Sequence, residues 1–374
     1  MKIINDTKLD FDDVLILPQR STLTSRSEII LDRIFYFYHS PRVWRGIPIM
    51  CANMSFASFS MADALRKHKI ITCLHKYHTV EQLVEYFQTD YPSKLDYVWI
   101  SIGIREKDLN NLIDFSEKAG INPNICIDIP NGHMDSFVEY CSRVREKFPM
   151  SIIIAGNVTN PSSTQELIIH GGVDIVKVGI GGGSACTTRF LTGCGLPQLS
   201  CCIENAHIVH GLQKEPKRIG LICSDGGHKN PGDVAKAFCA GADFIMIGGM
   251  FSGTTECVGE WTYEYQSAQG TWQNIPSINP DVPSRKKTFT YYGMSTHHSQ
   301  LTFEEEQKCY RASEGTKITV NYKGSVDNVV RELLGGVRSC CCYIGSDCIK
   351  NMSKCGQFCK VNNIHSNKNP VYGI

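Results

Sequence analysis

The amino-acid sequence predicts an α/β protein built on a single closed (β/α)8 TIM barrel. The prediction rests on eight short apolar segments, on amphipathic helical stretches between them, and on polar or glycine-rich residues where the segments end. Continuous apolar strands that alternate with helices are typical of a parallel sheet buried on both faces. Eight such units in about 200 residues fit a closed barrel. A doubly wound open sheet is the alternative, but it usually has an early Gly-x-Gly-x-x-Gly turn, which we do not find near the N-terminus.

The eight predicted strands are apolar runs bounded by turn residues. They lie at residues 49–52, 71–74, 97–101, 125–128, 151–155, 175–178, 220–224 and 244–247. Helical periodicity predicts helices at residues 60–67, 80–86, 134–147, 163–170 and 233–240. Because strands and helices alternate in this order, each pair forms one unit of the barrel.

Two segments depart from this alternation. Residues 258–292 are polar, aromatic and rich in proline, which predicts a long flap on the face of the barrel that carries function. Residues 346–374 are expected to form a C-terminal tail against the barrel or a neighbouring subunit. We therefore expect residues 1–374 to form one catalytic domain with no inserted regulatory domain.

The composition excludes several classes of function. The chain has 38 basic and 37 acidic residues, a balance that predicts neither a nucleic-acid-binding surface nor a membrane anchor. No apolar run approaches the length of a membrane span. Eighteen cysteines in a chain without an apolar leader predict buried thiols in a reducing cytoplasm rather than a disulfide framework.

The loop after the sixth predicted strand is the strongest candidate for catalysis. Four glycines at 179 and 181–183 precede Cys186, which is flanked by hydroxyl-bearing side chains. Glycines let the backbone approach a ligand closely, and backbone amides nearby favour a thiolate. Active sites of such barrels lie at the carboxyl ends of the strands. We therefore predict that Cys186 is a nucleophile; the alternative is a structural cysteine like most of the other 17.

The loops after the last two predicted strands favour a phosphate-binding site. Ser-Asp-Gly-Gly at 224–227 follows the seventh strand, and Gly248 and Gly249 follow the eighth. These two loops form the usual phosphate cradle of such barrels, to which Ser184 would add a hydroxyl. Asp225 would repel a phosphate and is expected to accept hydrogen bonds from ribose hydroxyls. The alternative interpretation of each glycine pair is an ordinary tight turn.

Other polar residues are less certain from spacing. Asp128 and Asn157 end the fourth strand and follow the fifth, so their side chains are expected at the barrel mouth; a helix cap is the alternative for Asp128. Glu314 lies beyond the flap and is either a general base or a solvated surface residue. The cysteines at 340–342, 348, 355 and 359 lack paired Cys-x2-Cys spacing, which favours packing over a zinc site.

These residues occur in motifs that resemble the GMP reductases, siblings of the IMP dehydrogenases. Matching motifs include Ala-Gly-Asn-Val at 155–158, Ser-Asp-Gly-Gly at 224–227 and Arg-Ala-Ser-Glu-Gly at 311–315. Further matches lie at 10–16, 20–23, 52–54, 75–76, 184–188, 197–200, 231–238, 248–250, 292–295 and 334–336. The likeness extends from residue 9 to about residue 345.

The resemblance implies a reaction and a set of residues. The implied reaction is reductive deamination of GMP to IMP with NADPH, with Cys186 as nucleophile and Thr188 and Glu314 as a proton relay. The implied GMP contacts are Ser184, Asp225, Gly226, Gly227, Gly248, Gly249, Met294, Ser295, Arg311 and Gly315. The implied NADPH contacts are Arg26, Ser27, Lys76, Asp128, Ile129, Pro130 and Asn157. The resemblance also implies a K⁺ site formed by the carbonyls of Gly181, Gly183 and Cys186, and a homotetramer.

Three features favour a reductase over a dehydrogenase. The chain has no room for the regulatory insert of typical dehydrogenases, Cys186 is followed by two threonines, and the segment beyond the flap has the reductase form. A dehydrogenase without its insert, and a nucleotide-binding regulatory protein with little turnover, are the alternatives.

The sequence also departs from the family pattern. Ser-Phe-Ala-Ser at 55–58 replaces the usual Asp-Thr-Val-Gly, Pro130 replaces an alanine, and Gly182 replaces a proline. We expect Phe56 to stand beside the pocket and to alter the substrate, the cofactor geometry or the rate.

Overall fold

Eight parallel strands close into a barrel in the computed structural model, which describes residues 3–214, 217–267, 270–275, 284–293 and 314–362. The predicted (β/α)8 TIM barrel is therefore confirmed. Its strands are β1 (Ile49–Cys51), β2 (Ile71–Leu74), β3 (Val98–Ile102), β4 (Ile125–Asp128), β5 (Ile153–Val158), β6 (Ile175–Val178), β7 (Leu221–Asp225) and β8 (Phe244–Ile247). Consecutive strands pair, and β8 closes the barrel against β1. Every strand overlaps its predicted segment, because the apolar runs are buried on both sides.

The helices cover the outside of the barrel and include the five predicted ones. They are α1 (Phe59–Arg66), α2 (Val80–Phe87), α3 (Tyr91–Tyr97), α4 (Glu106–Ala119), α5 (Asp135–Lys147), α6 (Pro161–Ile169), α7 (Thr188–Thr192), α8 (Gln198–Gly211), α9 (Pro231–Cys239), α10 (Val326–Ile344) and α11 (Met352–Cys355). Short 3-10 helices lie at Phe11–Asp13, Arg26–Glu28 and Ile349–Asn351. Within the described ranges, none of these helices has both the length and the apolar character needed to cross a bilayer.

Side-chain caps fix where several helices begin. Ser58, Thr79, Asn160, Asn230 and Ser325 each accept a hydrogen bond from a backbone amide in the first turn of the helix that follows. Such a cap satisfies one of the amides that a helix leaves unpaired at its start. Each cap therefore stops the preceding loop at a defined residue.

A β-hairpin closes the amino-terminal end of the barrel. Its strands, Arg33–Tyr36 and Val43–Gly46, place Phe35 opposite Trp44. Both rings pack on Phe244, the first residue of β8, with centroids 4.4 and 5.4 Å away. Phe35 and Trp44 are buried, so they fill the end of the barrel interior that lies away from the strand carboxyl ends.

The flap predicted at 258–292 contains strands rather than an irregular loop. They are β9 (Glu260–Gln266), β10 (Trp272–Ile275) and β11 (Ser284–Tyr292), and β12 (Lys317–Asn321) joins them in an antiparallel sheet of order β10-β9-β11-β12. Phe289 and Tyr291 of β11 are buried, so one face of the sheet packs on the barrel.

The described part of the tail lies against the N-terminal segment. Strand Phe358–Lys360 pairs antiparallel with Val14–Ile16, and Cys348 pairs with Ile30. Two further short strands, Gln213–Lys214 and Lys217–Arg218, pair with each other ahead of β7. The remainder of the tail, 363–374, lies outside the described residues.

Candidate active site

A cavity of about 290 Å³ opens where the sixth, seventh and eighth strands end. Its walls come from the loops after β6, β7 and β8 and from the flap sheet. Residues of the predicted site that line it are Gly183, Ser184, Cys186, Asp225, Gly226, Gly227, Gly248, Gly249 and Glu314. The structure thus brings together the nucleophile candidate and the two loops that were predicted to form a phosphate cradle.

The loop that carries Cys186 is held by the segment that follows the flap. Cys186 forms a β-bridge with Gly315, and the Thr187 amide donates to the Glu314 carbonyl at 3.0 Å. The Cys186 amide donates to the Gly183 carbonyl, also at 3.0 Å. These backbone bonds place two segments that are distant in sequence side by side in the cavity.

Cys186, Thr188 and Glu314 form a continuous chain of hydrogen bonds. The Cys186 thiol donates to Thr188 Oγ1 at 3.1 Å, and Thr188 Oγ1 donates to Glu314 Oε2 at 2.7 Å. The chain therefore connects a nucleophile to a carboxylate through one hydroxyl. Such a path can take a proton from sulfur and return it to a leaving group. The geometry agrees with the predicted trio; the catalytic roles stay a prediction.

Gly179 is the point at which the chain leaves β6 for this loop. Its φ is +131°, and a β-carbon there would collide with the Gln198 side chain and the Asp225 carbonyl. Gln198 in turn donates to the Val178 carbonyl at 2.8 Å. A glycine is required here because the backbone passes directly between α8 and β7.

Two hydroxyls converge on Gly249 in the predicted phosphate cradle. Ser184 Oγ and Tyr291 Oη lie 3.2 Å apart, and a β-carbon on Gly249 would lie 3.0 Å from the first and 3.2 Å from the second. Sequence reasoning assigned Tyr291 only to the flap. Its place directly before the matching motif at 292–295 was the available signal. Of the residues predicted to contact GMP, Met294, Ser295 and Arg311 lie outside the described residues.

Phe56 does not line the cavity, so the expectation that it stands beside the pocket is wrong. The ring is fully buried and packs edge-on against Tyr291, with centroids 5.4 Å apart, and against Phe289 at 6.3 Å. Phe56 therefore supports the flap wall from behind, and it meets the cavity wall at Tyr291.

A buried lysine, which sequence reasoning missed, lies beneath the site. Lys177 of β6 forms an ion pair with Asp128 and a second with Asp225 at 3.4 Å. Burial alone would lower the pKa of Lys177, but the two carboxylates hold it well above its ordinary value. Asn157 also donates to Asp225, at 2.9 Å, and Asn53 donates to Asp128 at 3.1 Å. A lysine inside an otherwise apolar strand was the signal that could have revealed this network.

The residues predicted for the cofactor fall into two places. Asp128 and Asn157 belong to the lysine network, and Ile129 exchanges backbone hydrogen bonds with residues 156 and 157 at 2.9 and 3.0 Å, with Pro130 exposed beside it. Lys76 lines a neighbouring small cavity together with Ser101 and Asp108.

Arg26 and Ser27 lie apart from this group. They are exposed in a 3-10 helix that contacts α10. The amide of Ile30, just beyond them, donates a hydrogen bond to the carbonyl of Asp347, which follows the end of α10. The structure therefore does not bring Arg26 and Ser27 to the cavity of their own chain.

His228 makes the stability of the folded chain sensitive to acid. The ring lines the cavity, is 8% exposed, and contacts Ser224 Oγ and the Met246 carbonyl, each at 3.2 Å. Burial lowers its pKa to about 4. As the pH falls from 6.5 towards 4, His228 therefore binds a proton in the unfolded chain but not in the folded chain. The free energy of unfolding, which is at its full value above pH 6.5, decreases over this range.

We expect the free energy of unfolding to fall by up to about 3 kcal/mol from this residue between pH 7 and pH 4. Urea unfolding at several pH values measures the fall. In His228→Gln the free energy of unfolding should fall less steeply between pH 6.5 and pH 4 than in the wild type. Equal slopes would contradict the assignment of this pH dependence to His228.

Comparison with known proteins places this geometry in a family context. The family model described as IMP dehydrogenase / GMP reductase domain matches residues 8–369. The chain is 42% identical over 362 residues to GMP reductase of Buchnera aphidicola, with 96% of each chain covered. It is 42% identical over 374 residues to GMP reductase of Shewanella pealeana, with 100% of this chain and 99% of the relative covered. It is 42% identical over 366 residues to GMP reductase 1 of Homo sapiens, with 98% of each chain covered.

Proposed function

The chain belongs to the IMP dehydrogenase / GMP reductase family, and from this premise we propose that it reduces GMP to IMP and ammonia with NADPH. The observation that carries the proposal is the hydrogen-bonded chain of Cys186, Thr188 and Glu314 at the edge of a glycine-lined cavity. The names of the relatives support GMP as the substrate.

The proposed reaction begins with the thiol of Cys186. Its proton passes through Thr188 to Glu314 as sulfur adds to C2 of the purine, and the π pair of the C2–N3 bond moves onto N3. The same relay then protonates the 2-amino group. The pair on N3 re-forms the C2–N3 double bond as the bond between C2 and the amino nitrogen breaks and ammonia leaves. Ammonia leaves readily only when its nitrogen is protonated, which is why the carboxylate is needed. After reduction at C2 the carbon–sulfur bond breaks, and its electron pair returns to sulfur. Overall, GMP, NADPH and two protons give IMP, NADP⁺ and ammonium.

The glycine loops and hydroxyls would hold the nucleotide. Backbone amides at 226–227 and 248–249 suit a phosphate, and the hydroxyls of Ser184 and Tyr291 add donors beside Gly249. Asp225 would accept hydrogen bonds from the ribose. This division keeps the carboxylate away from the phosphate, because like charges repel.

Asn157 and Lys76 fit the cofactor. Asn157 Oδ1 is buried and has no hydrogen-bond partner among the described residues, so it can accept an N–H from a carboxamide. The Lys76 ammonium suits a phosphate group. When bound, NADPH supplies the hydride that reduces C2; the residues of the chain orient it and exclude water.

The ion, assembly and compartment are also proposals. The main-chain carbonyls of Gly181, Gly183 and Cys186 are neutral oxygen donors from one loop, a donor set that suits K⁺. A homotetramer would let Arg26 and Ser27 serve the cofactor of another copy, since they lie apart from their own cavity. Every described cysteine is a free thiol, which supports the cytoplasm.

The test is a pair of absorbance assays on the purified chain. With GMP, we expect NADPH consumption together with release of IMP and ammonia, because the relay can protonate the leaving amino group. With IMP and NAD⁺, we expect no NADH formation. NADH formation from IMP would overturn the proposal in favour of a dehydrogenase without its insert. Nucleotide binding without turnover in either assay would favour the regulatory protein.

A further inference from the structure

Lys177 is a buried charge beneath the cavity that the proposed chemistry does not use. Its side chain is 1% exposed, in the middle of a strand whose other residues are apolar. An ammonium removed from water is costly unless it is paired and hydrogen-bonded. A charge in this position therefore calls for an account beyond packing.

The two partners of Lys177 belong to different sides of the proposed site. Asp128 ends β4 and is a predicted cofactor residue, whereas Asp225 ends β7 and lines the nucleotide cavity. Because β6 lies beside β7 and two strands from β4, one ammonium bridges both sides. These ion pairs are the link between the two carboxylates.

The contacts also settle which carboxylate oxygens are engaged. Lys177 and Asn157 both meet Oδ2 of Asp225, at 3.4 and 2.9 Å, and Oδ1 has no hydrogen-bond partner among the described residues. On Asp128, Oδ1 accepts a hydrogen bond from the Lys177 ammonium and Oδ2 accepts one from the Asn53 side-chain amide. The ammonium, together with one asparagine amide on each side, thus orients both carboxylates from the interior and leaves Asp225 Oδ1 to a ligand.

We propose that Lys177 is a positioning residue shared by the two ligands, which orients Asp225 for the nucleotide and Asp128 for the cofactor. The proposal rests on the proposed function for the identity of these ligands. It assigns Lys177 no contact with either of them. Loss of the ammonium would leave Asp225 held by Asn157 alone and Asp128 held by Asn53 alone. The net charge of the cluster would change from −1 to −2. Both binding sites would therefore weaken together.

The first experiment replaces Lys177 by methionine in the full chain, which keeps the length of the side chain and removes its charge. Kd values for GMP and for NADPH are measured separately by titration calorimetry. We expect each to rise about tenfold or more, since two partly buried carboxylates that lose their shared cation repel each other and are less well oriented. Asp225→Asn should weaken mainly GMP, and Asp128→Asn mainly NADPH. Lys177→Arg keeps the positive charge and should therefore retain much of the affinity for both ligands that Lys177→Met loses. If Lys177 served only folding, the two Kd values would not change together in this way.

A second variant guards against a chain that fails to fold. Asp128→Asn combined with Lys177→Met removes one charge of each sign. Its Kd for GMP should exceed that of Asp128→Asn alone by about tenfold, because Asp225 has lost its ammonium. An unchanged GMP affinity in this pair, or an effect of Lys177→Met on one ligand only, would overturn the proposal. A wild-type chain that binds both ligands but does not reduce GMP would instead overturn the proposed function.

Discussion

Cys186→Ala should lose turnover of GMP by on the order of 10⁴-fold or more, while the affinity for GMP changes little. The side chain lines the cavity, but the predicted contacts to phosphate and ribose come from other residues. In the proposed reaction, removing the sulfur removes the atom that would bond to C2 and leaves those contacts in place. Steady-state NADPH oxidation and GMP titration measure the two quantities on one preparation.

Cys194→Ala is the matched control, because Cys194 is an exposed cysteine just beyond the same loop. It should retain the wild-type rate. Turnover that survives in Cys186→Ala would remove the covalent mechanism. A parallel loss of GMP affinity would show that the thiol serves binding instead of chemistry.

Glu314→Gln and Thr188→Val should each lower kcat by about 10²- to 10⁴-fold, the range typical of a lost proton transfer. Glutamine can still accept the 2.7 Å hydrogen bond from Thr188, but it cannot hold the proton. Valine keeps the shape of threonine and breaks the chain at its middle. The double variant should be little worse than either single one, because one relay is lost in every case.

Thr187→Val provides a control of the same chemistry one residue away. The Thr187 hydroxyl is buried and has no hydrogen-bond partner among the described residues, so it takes no part in the relay. Its kcat should stay close to that of the wild type. Equal losses in Thr187→Val and Thr188→Val would indicate a packing effect and would contradict the relay.

Much of the barrel could be predicted from the sequence because each strand is a local signal. The runs at 175–178 and 244–247 are apolar and bounded by turn residues, and the glycines after the former mark the loop of Cys186. The flap sheet was missed because part of its pairing joins strands that are distant in sequence, as in the pairing of Thr288 with Asn321. Periodicity within one segment does not reveal such partners.

Some residues of the candidate site could be predicted from their position in the sequence, and others could not. Cys186 and the glycine pairs follow strand ends and were predicted from position, whereas the role of Glu314 came from resemblance, since spacing cannot show a contact with Thr188. Lys177 was missed because its ion-pair partners, Asp128 and Asp225, lie 49 and 48 residues away in the sequence. Phe56 was placed on the wrong side of the wall because a sequence does not show which neighbour a ring packs against.

The hairpin at the amino-terminal end of the barrel determines the end at which small molecules can enter and leave. Phe35 and Trp44 are buried and plug the barrel axis there, whereas the described cavity opens at the strand carboxyl ends. For the proposed reaction, the amino-terminal end would then offer no exit for ammonia. Both ligands would enter and leave between the strand carboxyl ends and the flap sheet.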